Sequence, residues 1–209
     1  MRLCGSLWSV PPDQQAGTLA AAAAGGLSWV HWDSTDGQFA APGGFRSDAA
    51  LALLAQVDGL SSEAHLMVMQ PLPLIDQWAE FCSTIAVPLE IEDPWSAMRR
   101  IAERGARPAL AVSLETPLEL IPVGSFDVLV MSITPGQAGA PFDHRAVDRA
   151  ARLRERRCHE WIGIDGGVGP EQFAPLGKAG VNWIVSGSSL FNAQDPAAWL
   201  AQCQRAVSS

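Results

Sequence analysis

Short runs of apolar, β-branched and aromatic residues recur along the chain, separated by amphipathic stretches with helical periodicity. Eight such runs predict strands near 2–8, 27–33, 63–68, 85–91, 108–113, 126–132, 160–164 and 182–186. The intervening stretches and the tail predict helices near 13–24, 47–57, 71–82, 95–104, 117–121, 143–157, 170–179 and 195–206. Strand runs that alternate with helices favour a parallel sheet with crossover helices over an antiparallel meander. Local chemistry marks several boundaries. Gly25-Gly26 offers a left-handed end to the first helix, and Asp93-Pro94 and Asp195-Pro196 each offer an N-cap followed by proline at the first helical position.

Eight strand–helix units in 209 residues leave little room for excursions. The expected fold is therefore α/β, a small (β/α)8 TIM barrel formed by residues 1–209 as one domain. An open doubly wound sheet is the alternative. It is the weaker one, because no GxGxxG follows the first strand and the glycine-rich turns come late in the chain.

Composition narrows the function. A hydrophobic content of 48% suits one well-buried core, and the net charge of −8 argues against nucleic acid or an anionic membrane surface as a partner. No stretch approaches the roughly 18 apolar residues of a membrane span. Pro11, Pro12 and Asp13 interrupt the apolar opening segment, which argues against a signal peptide. The cysteines at 4, 82, 158 and 203 form no CxxC pair, so a reduced, cytoplasmic chain is expected.

Candidate chemistry gathers where strands are expected to end, at His31, Asp33, His65 and Asp165. Residues two apart on a strand share a face, so His31 and Asp33 project together, with Trp29 before them. In a barrel the carboxyl ends of the strands ring the mouth, where residues distant in sequence converge. Two imidazoles and two carboxylates suit one divalent ion such as zinc, iron(II), manganese or cobalt, whereas calcium favours more oxygens and copper favours sulfur. The plainer reading of a lone histidine as a packed or surface residue is assigned to His144 and His159, both expected at the surface. Asp36 beside Gly37 reads equally as an N-cap or a turn former, and at most as a residue behind the ligands. The turns MSITPGQAGAPF, IDGGVG and VSGSSLF follow the last three strands, and their backbone N–H groups can cradle a phosphate without any lysine. Tight turning alone is the other explanation for those glycines.

The segments HWDSTDGQF, EAHLM, MSITPG, DGGV and GSSLF, in this order and spacing, resemble the ribulose-phosphate 3-epimerase family. GSLWS is similar to the family's amino-terminal Ser-x-x-Ser segment and LAVSLETPLE to its fifth-strand region, so the resemblance covers nearly the whole chain. It implies a TIM-barrel isomerase of pentose phosphate carbohydrate metabolism that inverts carbon 3 of a ketose phosphate, D-ribulose 5-phosphate to D-xylulose 5-phosphate. By that resemblance His31, Asp33, His65 and Asp165 bind one divalent metal ion. Asp33 and Asp165 exchange protons on opposite faces of a cis-enediolate whose oxygens the ion holds. Ser6, His65, Met67, Met131, Gly136, Gly166, Gly167, Gly187 and Ser188 match the family's contacts to substrate and phosphate, with core packing the alternative for the two methionines. The family further implies a homo-oligomer, a dimer or a hexamer, and Trp95 and Trp199 are the candidate exposed aromatics.

The chain departs from the family at several positions. Thr35 and Gln38 replace a methionine and a histidine, which predicts a more polar pocket wall. Gln137 and Ala140 replace an aromatic and a glutamine in the GQAGA turn, Thr134 stands where the family often has Asn or Glu, and Glu90 replaces a histidine. These leave two further readings open, an allulose-6-phosphate 3-epimerase-like enzyme and a non-catalytic sugar-phosphate-binding paralogue.

Overall fold

Eight parallel strands close into a barrel in the computed structural model, which describes residues 1–208; each strand pairs with its sequence neighbours and the first returns to the eighth. The strands are β1 (Arg2–Ser6), β2 (Trp29–Thr35), β3 (Ser61–Met67), β4 (Thr84–Pro88), β5 (Arg107–Val112), β6 (Asp127–Met131), β7 (Ile162–Asp165) and β8 (Trp183–Ser186). The helices are α1 (Gln15–Ala24), α2 (Ser47–Leu54), α3 (Leu72–Ala79), α4 (Pro94–Glu103), α5 (Arg145–Glu155), α6 (Pro170–Lys178), α7 (Ser188–Phe191) and α8 (Pro196–Ser208). This is the expected (β/α)8 architecture. No described helix is long and apolar enough to cross a membrane.

Strand alternation sorts the core into layers. Outward residues such as Val30, Trp32, Leu66, Ile85 and Leu110 pack beneath the helices, while Cys4, Ala86, Ala109, Leu129, Trp183 and Val185 fill the barrel interior. The large Trp183 fits inside because its neighbour on β7 is Gly163. A methyl group there would overlap the indole and come within 2.8 Å of Leu129 Cδ1.

The helix-end signals act as read. Gly26 takes φ +102°, with Leu27 N–H donating to Ala22 O at 2.9 Å and Gly26 N–H to Ala23 O at 3.0 Å. Asp93 accepts from Ser96 N–H at 3.0 Å and Asp195 from Ala198 N–H at 2.9 Å.

Several expectations are corrected. The helix expected at 117–121 is a single 3-10 turn, Leu118–Leu120, because Pro122 forces Ile121 into an extended conformation. The one-turn α7 is too short to leave a periodic signal. β2 and β3 lie two residues from their expected spans, β2 later and β3 earlier at its start, so the two histidines sit within strands rather than at their tips. His159 is buried, with its ring against Phe126 and Nδ1 3.1 Å from the Phe126 carbonyl. Trp199 is also buried, edge-on to Phe173 and donating to Ser189 Oγ at 3.2 Å, whereas Trp95 is exposed as expected.

Candidate active site and metal centre

The register of the barrel brings the site together. Ser6 lies beside His31, Asp33 beside His65, and Met131 beside Asp165 on adjacent strands. Because inward positions recur every second residue, His31 and Asp33 on β2, His65 and Met67 on β3, and Asp165 on β7 all face the barrel axis. The four expected ligands offer donor atoms that lie within 4.8 Å of one another, and they are the one such group among the described residues.

All four side chains are buried. His31 Nε2 is 3.3 Å from Asp33 Oδ1 and 3.7 Å from Asp165 Oδ2. His65 Nδ1 is 3.7 Å from Asp33 Oδ1 and 3.5 Å from Asp165 Oδ2. Neither nitrogen makes a hydrogen bond. Buried polar atoms are rarely left without partners, since each costs about 1–3 kcal/mol. Two orphaned imidazole nitrogens and two carboxylates facing one small space fit a divalent cation.

The electrostatics point the same way. Burial pulls the His31 pKa down, but the negative charge of the nearby Asp33 carboxylate and the hydrogen-bonded Glu63 outweigh it and hold the ring well above its ordinary value. His65 is likewise raised, burial being overcome by Asp165 and Asp33. Burial favours protonation of Asp33, yet the two imidazoles drive its pKa well below the usual carboxylate range. The pocket demands positive charge, and protons supply it where no cation does.

A cavity of about 310 Å³ opens above the cluster at the carboxyl ends of the strands. Its lining includes Asp33, Asp165 and every expected substrate-side residue except His65: Ser6, Met67, Met131, Gly136, Gly166, Gly167, Gly187 and Ser188. His31 and His65 are not among its lining residues. Among the described residues, no Lys or Arg lines it. Gly167, at φ +62°, packs so closely on the GQAGA turn that a Cβ would come within 2.6 Å of Phe142 N and 2.9 Å of Ala140 O. Only glycine lets these backbones meet beside the cavity.

Thr35 and Gln38 do not make the cavity more polar, because neither lines it. The Thr35 hydroxyl lies within hydrogen-bond distance of the Ala41 and Gly43 carbonyls, at 2.9 and 3.0 Å, and its one proton serves its own loop. Asp36 does form the turn, accepting from the Gln38 and Phe39 N–H groups, and it also accepts from Met69 N–H at 2.7 Å. Glu90 accepts from Ser113 N–H and the Thr116 hydroxyl in a side cleft. Gln137 and Ala140 do line the cavity. Sequence reasoning missed Glu63, whose carboxylate meets His31 Nδ1 at 2.7 Å. Its signal was the inward alternation Glu63, His65, Met67 along β3.

A closed parallel barrel with buried ionisable side chains and glycine turns at the carboxyl ends of its strands is the architecture of the TIM-barrel enzymes. Residues 2–191 match the model of the ribulose-phosphate 3 epimerase family, and the chain belongs to that family, whose members are isomerases. It is 31% identical over 198 residues to the ribulose-phosphate 3-epimerase of Mycobacterium bovis, covering 88% of this chain and 84% of the relative. With the ribulose-phosphate 3-epimerase of Aquifex aeolicus it shares 30% identity over 205 residues, 92% of this chain and 88% of the relative. The cytoplasmic isoform of ribulose-phosphate 3-epimerase from Oryza sativa subsp. japonica is 29% identical over 191 residues, covering 87% and 83%. Among solved structures, 3-hexulose-6-phosphate synthase from Salmonella typhimurium superposes with a TM-score of 0.76 at 16% identity, covering 99% and 98% of the two chains. That likeness is one of fold.

Proposed function

We propose that the protein is a divalent-metal-dependent epimerase that converts D-ribulose 5-phosphate to D-xylulose 5-phosphate by inverting carbon 3. The observation that carries this reading is the pair of carboxylates, Asp33 and Asp165, at the floor of one cavity and beside two imidazole nitrogens with no hydrogen-bond partner. The names of the relatives supply the substrate class.

In this mechanism one carboxylate removes the proton on C3, and the C3–H electron pair moves toward the C2 carbonyl to give a cis-enediolate. The other, which enters the step as the carboxylic acid, delivers its proton to C3 from the opposite face; the two groups end with their protonation states exchanged, and proton exchange with solvent resets them before the next turnover. His31, Asp33, His65 and Asp165 would hold the ion, which when bound supplies positive charge beside the developing oxyanion and so makes a weakly acidic C–H accessible to a carboxylate. Ser6 orients Asp33 by donating to its Oδ2 at 2.6 Å. Met67 and Met131 wall the reacting end with apolar sulfur chains that exclude water. Gly136, Gly166, Gly167, Gly187 and Ser188 would receive the phosphate through backbone N–H groups, which suits a cavity without lysine or arginine.

The two substitutions that pointed to a six-carbon sugar, Thr35 and Gln38, lie outside the cavity lining. The deciding experiment incubates metal-loaded protein with ribulose 5-phosphate in heavy water. Xylulose 5-phosphate carrying deuterium at C3 is the expected product. Failure to form it or to exchange that hydrogen rejects this substrate, and the same failure across five- and six-carbon ketose phosphates rejects the activity and leaves the non-catalytic reading.

A further inference from the structure

Glu63 and Arg2 form an ion pair inside the barrel, Arg2 Nη2 to Glu63 Oε2 at 3.1 Å, and neither has a part in the proton transfer. Both are buried. Burying a charged pair costs several kcal/mol of desolvation per ion, and apolar side chains would fill the same space at least as well. Arg2 is nevertheless held firmly. Its guanidinium carbon lies 4.6, 4.8 and 4.6 Å from the ring centres of Trp29, Trp161 and Trp183, and Nη1 donates to Thr84 Oγ1 at 3.3 Å.

The two oxygens of Glu63 divide their work. Oε2 faces Arg2. Oε1 accepts from Trp183 Nε1–H at 2.7 Å and meets His31 Nδ1, also at 2.7 Å. Glu63 and His31 are register partners on β3 and β2, so this contact is set by the sheet itself. A carboxylate paired with arginine only accepts, which makes Nδ1 the donor and leaves the lone pair of a neutral His31 ring on Nε2. That is the nitrogen with no hydrogen-bond partner, 3.3 Å from Asp33 Oδ1.

We infer that Glu63, clamped by Arg2 and Trp183, is a positioning residue for the metal centre, fixing His31 as the Nδ1–H tautomer with Nε2 aimed at the space shared by Asp33, His65 and Asp165. The inference rests on the metal-dependent reading above. It assigns a function to the buried charge: a carboxylate behind an imidazole orients the ring and strengthens it as a ligand.

Glu63→Gln tests this with little change of shape, because the amide must turn its NH2 toward either Arg2 or His31, both donors. Thr84→Val is the control, loosening Arg2 while leaving the Glu63–His31 contact in place. Cobalt(II) titration followed by visible absorption reads affinity and ligand geometry without any turnover. Glu63→Gln should weaken cobalt binding about 10- to 100-fold and alter the spectrum. Thr84→Val, which keeps the carboxylate on His31 Nδ1, should weaken binding less than Glu63→Gln does. Equal affinity and an identical spectrum for Glu63→Gln overturn the inference alone, whereas a wild type that binds no cobalt overturns the metal reading with it. Nitrogen-15 spectra of the zinc-loaded wild type provide a test that needs no variant. A proton on His31 Nδ1 supports the assignment, and a proton on Nε2 overturns it.

Discussion

The Ser6 hydroxyl at the end of β1 donates to Asp33 Oδ2 at 2.6 Å, which leaves Oδ1 turned toward His31 and His65. One carboxylate thus has its oxygens assigned to different tasks by neighbours on two other strands. Ser6→Ala removes the restraint and leaves Oδ2 at the cavity edge, where water can replace the hydroxyl. A hydrogen bond to a charged group contributes about 1.5–3 kcal/mol, so kcat/KM should fall about 10- to 100-fold with little change in melting temperature. Steady-state kinetics beside a thermal melt checks this, and an unchanged kcat/KM removes Ser6 from the mechanism.

Inversion needs a base on one face and an acid on the other, so either carboxylate alone is insufficient. Asp33→Asn and Asp165→Asn, which preserve shape, should each lower kcat by about 10²- to 10⁴-fold. Circular dichroism should remain that of the parent. Retained turnover in either variant would remove that residue from the acid–base pair.

The barrel was legible because alternation of apolar runs with amphipathic stretches is a local property, and eight units in this length admit few architectures. Convergence of His31, Asp33, His65 and Asp165 followed from the period of two along strands and from the geometry of barrel mouths. What escaped the sequence depended on partners distant along the chain. His159 is buried because the Phe126 carbonyl and ring lie in wait for it, and Trp199 because Phe173 and Ser189 do. Thr35 faced the expected direction, but two loop carbonyls captured its hydroxyl. Glu63 went unread because a charged residue in the middle of a barrel makes sense only beside Arg2, Trp183 and His31.

Packing between β7 and β8 supplies a test of the fold. Gly163→Ala places a methyl group against the Trp183 ring and within 2.8 Å of Leu129 Cδ1, with no room to retreat inside the barrel. Overpacking of this kind costs about 1–3 kcal/mol. Denaturant unfolding should show the midpoint falling at unchanged slope, and a variant as stable as the parent would mean that the interior yields more easily than its close contacts imply.

Thiol chemistry reports on the same interior. Burial pushes the thiols of Cys82 and Cys203 up to about 12 and raises that of Cys4 as well. A raised thiol pKa keeps the sulfur protonated, and therefore unreactive, throughout the neutral range. Cys158 is the partly exposed member of the four. A colorimetric disulfide reagent at pH 8 should titrate Cys158 quickly in the native protein and the other three only after unfolding. Fast reaction of Cys4, inside the barrel, would contradict the packing described here.

Removing the ion should separate catalysis from folding. The barrel interior and the two layers beneath the helices are built from contacts that do not involve the four ligands, and in the ion-free state the raised imidazoles carry the positive charge that the carboxylates require. Treatment with a strong chelator should therefore abolish turnover while a cooperative thermal transition persists. The melting temperature should fall only by the binding contribution, about 2–4 °C for each kcal/mol in a chain of this size. Re-addition of zinc, manganese or cobalt should restore activity. Collapse of the fold on chelation would make the ion structural, and full activity in the stripped protein would leave Asp33 and Asp165 to abstract the C3 proton with no cation beside the oxyanion.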